Sequence, residues 1–273
     1  MSPHPDTAIL MYHALDPGDG RLELLDAAER AYTLPAERFF EHLHVFARGP
    51  RTVLSPEALL AETEHKTGGA GGRSGPGLFL SFDDGNSSDH DIALPALIET
   101  GWRAFFFITT DRIGQRGSMD AEQIRDLRRA GMTLGSHGRS HRLLDGLSPA
   151  DQKEELEGGR KALEDILGEA VKCLSLPGGR MNRATPRIAG ECGYEWVFTS
   201  RPEPPLATGR PRLCGRVAVR PGWTAERLED FLQNQGARMA ALRRADRAKR
   251  LVQALLGNAL YARLHRAVWS RLD

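Results

Sequence analysis

Short apolar runs alternate with amphipathic stretches along most of this 273-residue chain. The run at residues 8–12 has β character and ends at His13. Residues 35–48 place apolar side chains at helical spacing, with Phe39, Phe40, Leu43, Phe46 and Ala47 on one face. A shorter helix is expected at 56–62, with Ser55 as its N-cap. From Leu78 the pattern becomes strand, loop, helix, repeated. Strands are expected at 78–82, 103–109, 132–135, 171–176, 194–199 and 217–219. Helices are expected around 92–99, 121–130, 149–167, 184–191 and 224–233. Such alternation implies a mainly parallel sheet with helices outside it. In folds of this kind, chemistry gathers in the loops after the C-terminal ends of the strands. His13, Asp83, Asp84, His137, His141, Pro177 and Gly178 all fall at such ends.

Two segments break the pattern. Residues 67–77 are glycine-rich and read as a flexible loop. They do not form a phosphate loop, because no Gly-Lys-Ser/Thr follows. Near the end, Leu251, Leu255, Leu256, Leu260, Leu264, Val268 and Leu272 recur mostly four apart among arginines, the pattern of one or two basic amphipathic helices. This divides the chain into an α/β unit over 1–235 and a basic helical extension over 236–273.

Charge sharpens that division. The net charge is +1, which argues against nucleic acid as a partner. Residues 238–273 nevertheless carry nine Lys/Arg and two Asp/Glu, leaving −6 for the rest. The favoured reading of the tail packs its apolar stripe on the α/β unit. Contact with an anionic membrane surface and an oligomer contact are the alternatives. The oligomeric state is not legible.

At 40% hydrophobic and 27% charged residues, a sizeable core is expected. Three cysteines without a Cys-x-x-Cys pair provide neither a disulfide framework nor a thiolate zinc site, and fit a reducing compartment. The N-terminus lacks a basic region followed by a long apolar one. A cytoplasmic protein is expected, peripheral to the inner membrane face if the tail binds lipid.

The candidate chemistry lies in two short motifs. Phe82-Asp83-Asp84-Gly85 follows one apolar run, and Ser136-His137-Gly138-Arg139-Ser140-His141 follows another. One carboxylate and two imidazoles are a common ligand set for a catalytic divalent metal, and the second carboxylate is then free to act as a base. An Asp-Asp-Gly alone is usually a solvated turn, and a histidine pair four apart is often a helix face. The two together, each after a strand, carry the metal reading.

On these motifs the chain resembles the polysaccharide deacetylase family, built on the NodB-homology domain. Three further segments support the resemblance: Leu10-Met11-Tyr12-His13, Ser175-Leu176-Pro177-Gly178-Gly179, and 193–200. It spans roughly residues 8–235. It implies a distorted, incomplete (β/α) barrel, here with a C-terminal helical extension. It also implies metal-dependent removal of N-acetyl groups from an amino-sugar-containing glycan or glycolipid precursor. Asp84, His137 and His141 would hold the metal, most simply Zn²⁺, with Co²⁺ or Ni²⁺ as alternatives. Asp83 would be the base, Gly178 N–H would help bind the oxyanion, and Pro177 would shape the groove.

The chain departs from the family in three ways. Gly138 replaces a Ser/Thr, which removes a loop hydrogen bond. Ser175 replaces the arginine that orients the base; Arg139, Arg180 and Arg216 are candidates to replace it, Arg180 being nearest in sequence. The late Leu-x-x-His motif that supplies an acid is not evident. His13 could be that acid, a substrate contact or a structural histidine. Arg180 could also meet an anionic group on the substrate, and Trp223 is a candidate for stacking on a sugar. Two rival readings are hydrolysis of a non-sugar amide or imide, and a saccharide-binding protein that has lost catalysis.

Overall fold

The computed structural model describes residues 7–20, 27–61, 77–203 and 209–248. Its strands in chain order are β1 (Ala8–Tyr12), β2 (Leu15–Asp16), β3 (Leu34–Pro35), β4 (Thr52–Val53), β5 (Gly77–Phe82), β6 (Phe105–Ile108), β7 (Thr133–Ser136), β8 (Cys173–Ser175), β9 (Trp196–Thr199), β10 (Arg212–Gly215) and β11 (Val217–Ala218). The main sheet runs β10-β9-β8-β7-β6-β5-β1-β11, with β4 added beside β5; β2 and β3 form a separate pair. Among the described residues, every pairing between these strands is parallel.

This is a nearly closed barrel with one unsealed seam. The seam lies between β10 and β11, and only Arg216 separates those two strands in sequence. One extended segment therefore pairs first with β9 and then with β1. The chain itself bridges the gap that a further row of hydrogen bonds would have closed.

Helices α1 (Ala27–Arg30), α2 (Ala36–Arg48), α3 (Pro56–Ala61), α4 (Leu94–Thr100), α5 (Ala121–Arg129), α6 (Pro149–Leu167), α7 (Thr185–Glu191) and α8 (Ala225–Gln233) occupy the connections. Local chemistry sets several of their starts. Asp120 and Gln123 form a reciprocal capping box on α5. Ser148 caps α6 ahead of Pro149, and Thr224 caps α8.

Strand side chains alternate between two cores. Ile9, Phe79, Phe105, Phe107, Cys173, Trp196, Phe198 and Cys214 fill the barrel interior. Leu10, Tyr12, Leu78, Leu80, Phe82, Phe106, Leu134 and Val197 belong to the larger cluster that includes the helices. Burial on both faces explains why the strands are apolar throughout, and each buried Leu or Phe contributes roughly 1.5–3 kcal/mol. The last inward positions are polar: Ser81, Ser175 and Arg216, all fully buried. They make a polar layer above an apolar interior.

The elements expected from sequence are present within a few residues, with three differences. The face of α2 is rotated: Phe40 is 43% exposed and Ala47 faces solvent. His42 is buried in their place, between Tyr12 Oη (3.0 Å) and the Trp223 carbonyl (2.8 Å). A second difference is β10, which the sequence reading did not contain. A third is a π-helical turn, Asp89–Ala93, ahead of α4. The glycine-rich residues 67–76 and the leucine–arginine pattern of 251–272 lie outside the described residues. Helix continues over 235–248, where Met239 and Leu242 join the core. Among the described residues, no helix is long and apolar enough to cross a membrane.

Candidate active site

Two motif loops meet at the C-terminal rim. Asp83 and Asp84 follow β5, and the 137–141 loop follows β7. Asp83 N donates to the Tyr12 carbonyl (3.0 Å) and His137 N to the Ile108 carbonyl (2.8 Å), so each loop begins as an extension of the sheet. The second loop is clasped by α6. Glu155 accepts from Ser140 N (2.9 Å) and Ser140 Oγ (2.5 Å). Gly159 lets the helix approach so closely that a Cβ there would meet the Gly138 carbonyl carbon at 2.7 Å. Gly138 N–H donates to Ser136 Oγ (3.1 Å), and its φ of +80° favours glycine.

Asp84, His137 and His141 converge. One ligand atom from each lies within 4.8 Å of the others. His137 Nε2 is 3.4 Å and His141 Nε2 3.2 Å from the same oxygen, Asp84 Oδ1. The other ring nitrogen of His137, Nδ1, lies 2.9 Å from the Ser175 carbonyl, which fixes Nε2 as the atom free to ligate. Asp84 and His141 both have positive φ, 80° and 64°. That backbone costs about 1–3 kcal/mol per residue and is typical of functional sites. The donor set, the tautomer and the convergence fit a divalent metal.

Asp83 is 2% exposed and borders the ligand cluster, with Oδ2 3.9 Å from His137 Nε2. Arg216 grips it with Nη1 to Oδ1 at 2.7 Å and Nη2 to Oδ2 at 2.8 Å. Ser175 Oγ donates to Oδ2 (3.0 Å) and accepts from Arg216 Nη2 (2.7 Å). Arg216 also lies over the rings of Phe107 and Phe198, 5.2 and 5.9 Å from their centroids. Of the three arginines considered from sequence, Arg216 is therefore the one that meets Asp83. Ser175, at the family's arginine position, leaves room for a guanidinium arriving from the seam.

The electrostatics follow from this packing. Burial would push the Asp83 carboxyl up, but Arg216, His137 and His13 more than offset it and hold it below the ordinary carboxylate range. The same balance, dominated after burial by His137 and His141, holds Asp84 well below that range. His137 is raised, because Asp83 and Asp84 outweigh its burial. Desolvation lowers His13 despite the attraction of both carboxylates.

The remaining predicted residues divide. His13 is half-buried beside this cluster, and among the described residues its Nδ1 has no hydrogen-bond partner. Pro177 is buried, with a Cγ that a Cβ on Gly138 would meet at 3.6 Å. Gly178 is exposed on the rim with φ +59°. Arg180 is already neutralised by Asp145, with contacts of 2.8 and 2.7 Å, which weakens it as an anion receptor. Trp223 requires a correction. It is 6% exposed and packs 5.2 Å from the Phe231 ring in the core, so no ring face is offered to a sugar.

Asp89 was not singled out from sequence. It is fully buried, and among the described residues its carboxylate oxygens have no hydrogen-bond partner of good geometry. Burial, with repulsion from Asp84 and Asp83, raises it well above the ordinary carboxylate range; the Asn86 backbone offsets only part of this. A group that holds its proton more tightly folded than unfolded loses stability as pH rises above the unfolded value. Asp89→Asn is therefore expected to stabilise the metal-free protein by about 1 kcal/mol or more at pH 8, with the gain shrinking toward pH 4. Urea midpoints at the two pH values check this.

The fold and the Asp–His–His cluster together define a class, hydrolases that work at the rim of a parallel barrel around a candidate divalent-metal site. The polysaccharide deacetylase family model matches residues 70–197. Protein YxkH of Bacillus subtilis (strain 168), whose name places it among the polysaccharide deacetylases, is 26% identical over 227 residues, covering 83% of this chain and 76% of its own. The Streptococcus pyogenes deacetylase PplD in complex with acetate shares the fold with a TM-score of 0.69, at 22% identity over 83% of this chain and 97% of that one. IcaB from Ammonifex degensii does so at 0.66 and 21%, over 85% and 98%. Over the segment that carries both motifs, the chain is similar to the polysaccharide deacetylases. The matched segment contains both motifs but neither His13 nor Arg216, which lie by the neighbouring strands β1 and β11.

Proposed function

We infer that this protein is a divalent-metal-dependent hydrolase that removes N-acetyl groups from an amino-sugar-containing glycan or glycolipid precursor. One observation carries the reading: a three-residue ligand cluster stands beside a separate carboxylate that is clamped and kept ionised. A site for binding alone has no use for that second carboxylate, so the clamp weighs against a role without catalysis.

When bound by Asp84, His137 and His141, the metal would polarise the acetyl carbonyl and make a water acidic. Asp83 accepts the proton from that water. The Arg216 clamp keeps the base ionised and its lone pairs in one orientation. Gly178 N–H stabilises charge developing on the acetyl oxygen. His13, whose imidazole feels both carboxylates, is the candidate to pass a proton to the departing amine. The products are acetate and a free amino sugar.

Acetate release from N-acetylated oligosaccharides tests this. Metal-stripped protein is expected to be inactive and to recover with Zn²⁺ or Co²⁺. Full activity in the stripped protein, or none with any metal across neutral and charged saccharides, would sink the reading.

A further inference from the structure

Tyr32 and Arg220 extend the candidate site beyond the metal ligands. Val219 N donates to the Met11 carbonyl (2.9 Å), which brings Arg220 to the rim beside the end of β1 and His13. Its guanidinium lies 4.5 Å from the centroid of the Tyr32 ring, and Nη2 donates to Tyr32 Oη at 3.0 Å. The Tyr32 ring in turn lies 4.8 Å from the His13 ring. An unbroken stack thus runs from His13, whose imidazole feels both Asp83 and Asp84, out to an exposed guanidinium.

The segment bearing Tyr32 is tied down. Tyr32 N bonds to the Glu29 carbonyl (2.9 Å) and Leu34 N to the Ala14 carbonyl (3.0 Å). Glu29 itself is paired with Arg112 beyond β6. The stack is therefore held before any ligand arrives, which lowers the ordering cost of binding.

Among the described residues, the charge on Arg220 meets no acidic partner. Arg112, Arg139 and Arg180 each have an acidic partner. Among the described residues, no carboxylate lies within 4.0 Å of the Arg220 guanidinium. Tyr32 occupies one N–H of one terminal nitrogen. The remaining donors form a fork suited to two oxygens of an anion.

We propose that Tyr32 and Arg220 form an anion-recognising subsite, and that the substrate is an N-acetylated saccharide carrying a carboxylate or phosphate next to the acetylated sugar. This rests on the deacetylase reading for its reaction but not for its binding. The Tyr32 ring, half-buried between His13 and Arg220, holds the guanidinium in place. The guanidinium beyond it receives the anion.

Calorimetric titration of metal-free protein tests this, since no anion can then reach a metal. The probes are chitobiose, a disaccharide of N-acetylglucosamine and glucuronate, and N-acetylglucosamine 1-phosphate. The wild type is expected to bind at least one charged probe about tenfold more tightly than chitobiose, the scale of a charge-assisted hydrogen bond. Arg220→Gln is expected to remove that preference and leave chitobiose binding within about twofold. Which charged probe is preferred separates a carboxylate from a phosphate ligand. Equal binding of all three, or a preference that survives Arg220→Gln, would overturn the subsite. Acetate release from chitobiose by the metal-loaded protein is followed in parallel. An Arg220-dependent preference without acetate release from any probe would support the subsite and defeat only the deacetylase reading.

Discussion

Asp83→Asn is expected to lower metal-dependent acetate release by about 10²–10⁴-fold, the usual contribution of a positioned general base. The substitution keeps the size of the side chain but removes the basic lone pairs. It also turns an amide N–H₂ toward a region already crowded with donors: both Arg216 terminal nitrogens and Ser175 Oγ point at the Asp83 oxygens. The ligand cluster is a different set of atoms, so stoichiometric metal should remain bound. Metal content by atomic emission, beside initial rates, separates the two effects. Loss of metal together with activity would mean that Asp83 is itself a ligand. Activity within tenfold of wild type would remove it as the base.

Replacing Arg216 by Met should have the largest effect on stability. It leaves the buried Asp83 carboxylate without its counter-charge, a change that costs about 3–5 kcal/mol when a buried ion pair loses one partner. The sign depends on pH. In the wild type the Asp83 carboxyl is held below its ordinary range, so its contribution to stability is present above that range and lost as pH falls through it. Without Arg216, burial dominates and the carboxyl rises, so the contribution reverses and stability falls as pH increases. The destabilisation should therefore be greatest at neutral pH and shrink in acid. Chemical denaturation at pH 7 and pH 4.5 tests this. The acidic limb of kcat/KM should also move to higher pH, because the base then protonates sooner. A destabilisation that does not change with pH would mean that Arg216 matters through packing on Phe107 and Phe198 rather than through Asp83.

The two motifs were legible because their chemistry is local in sequence. Asp83 and Asp84 are adjacent, His137 and His141 are four apart, and each set follows an apolar run. Strand–helix alternation likewise revealed the barrel, since burial on both faces leaves continuous apolar segments. Arg216 could only be one candidate among three. Its role depends on β10, a four-residue strand that begins with arginine and is followed by another; it looks like a break in the pattern. Nothing local says that Ser175 and Arg216, 41 residues apart, share one carboxylate. Trp223 was misjudged for a related reason. Between Gly222 and Thr224 it reads as a loop residue, and only the packing of α8 buries it. His42 replaced Phe40 and Ala47 on the buried face of α2 because Tyr12 and the Trp223 carbonyl satisfy both its ring nitrogens.

Bridging the seam with a single segment ties the integrity of the barrel to its chemistry. Side chains of an extended chain alternate between two faces, so a slip of one residue along β9 and β1 would carry Arg216 from the interior to the outside. Asp83 would then be buried without a counter-charge, and the misthreaded barrel would be both unstable and inert. Correct threading is thus rewarded twice by one guanidinium, and a chain that closed one notch out of place could not pass as a working enzyme.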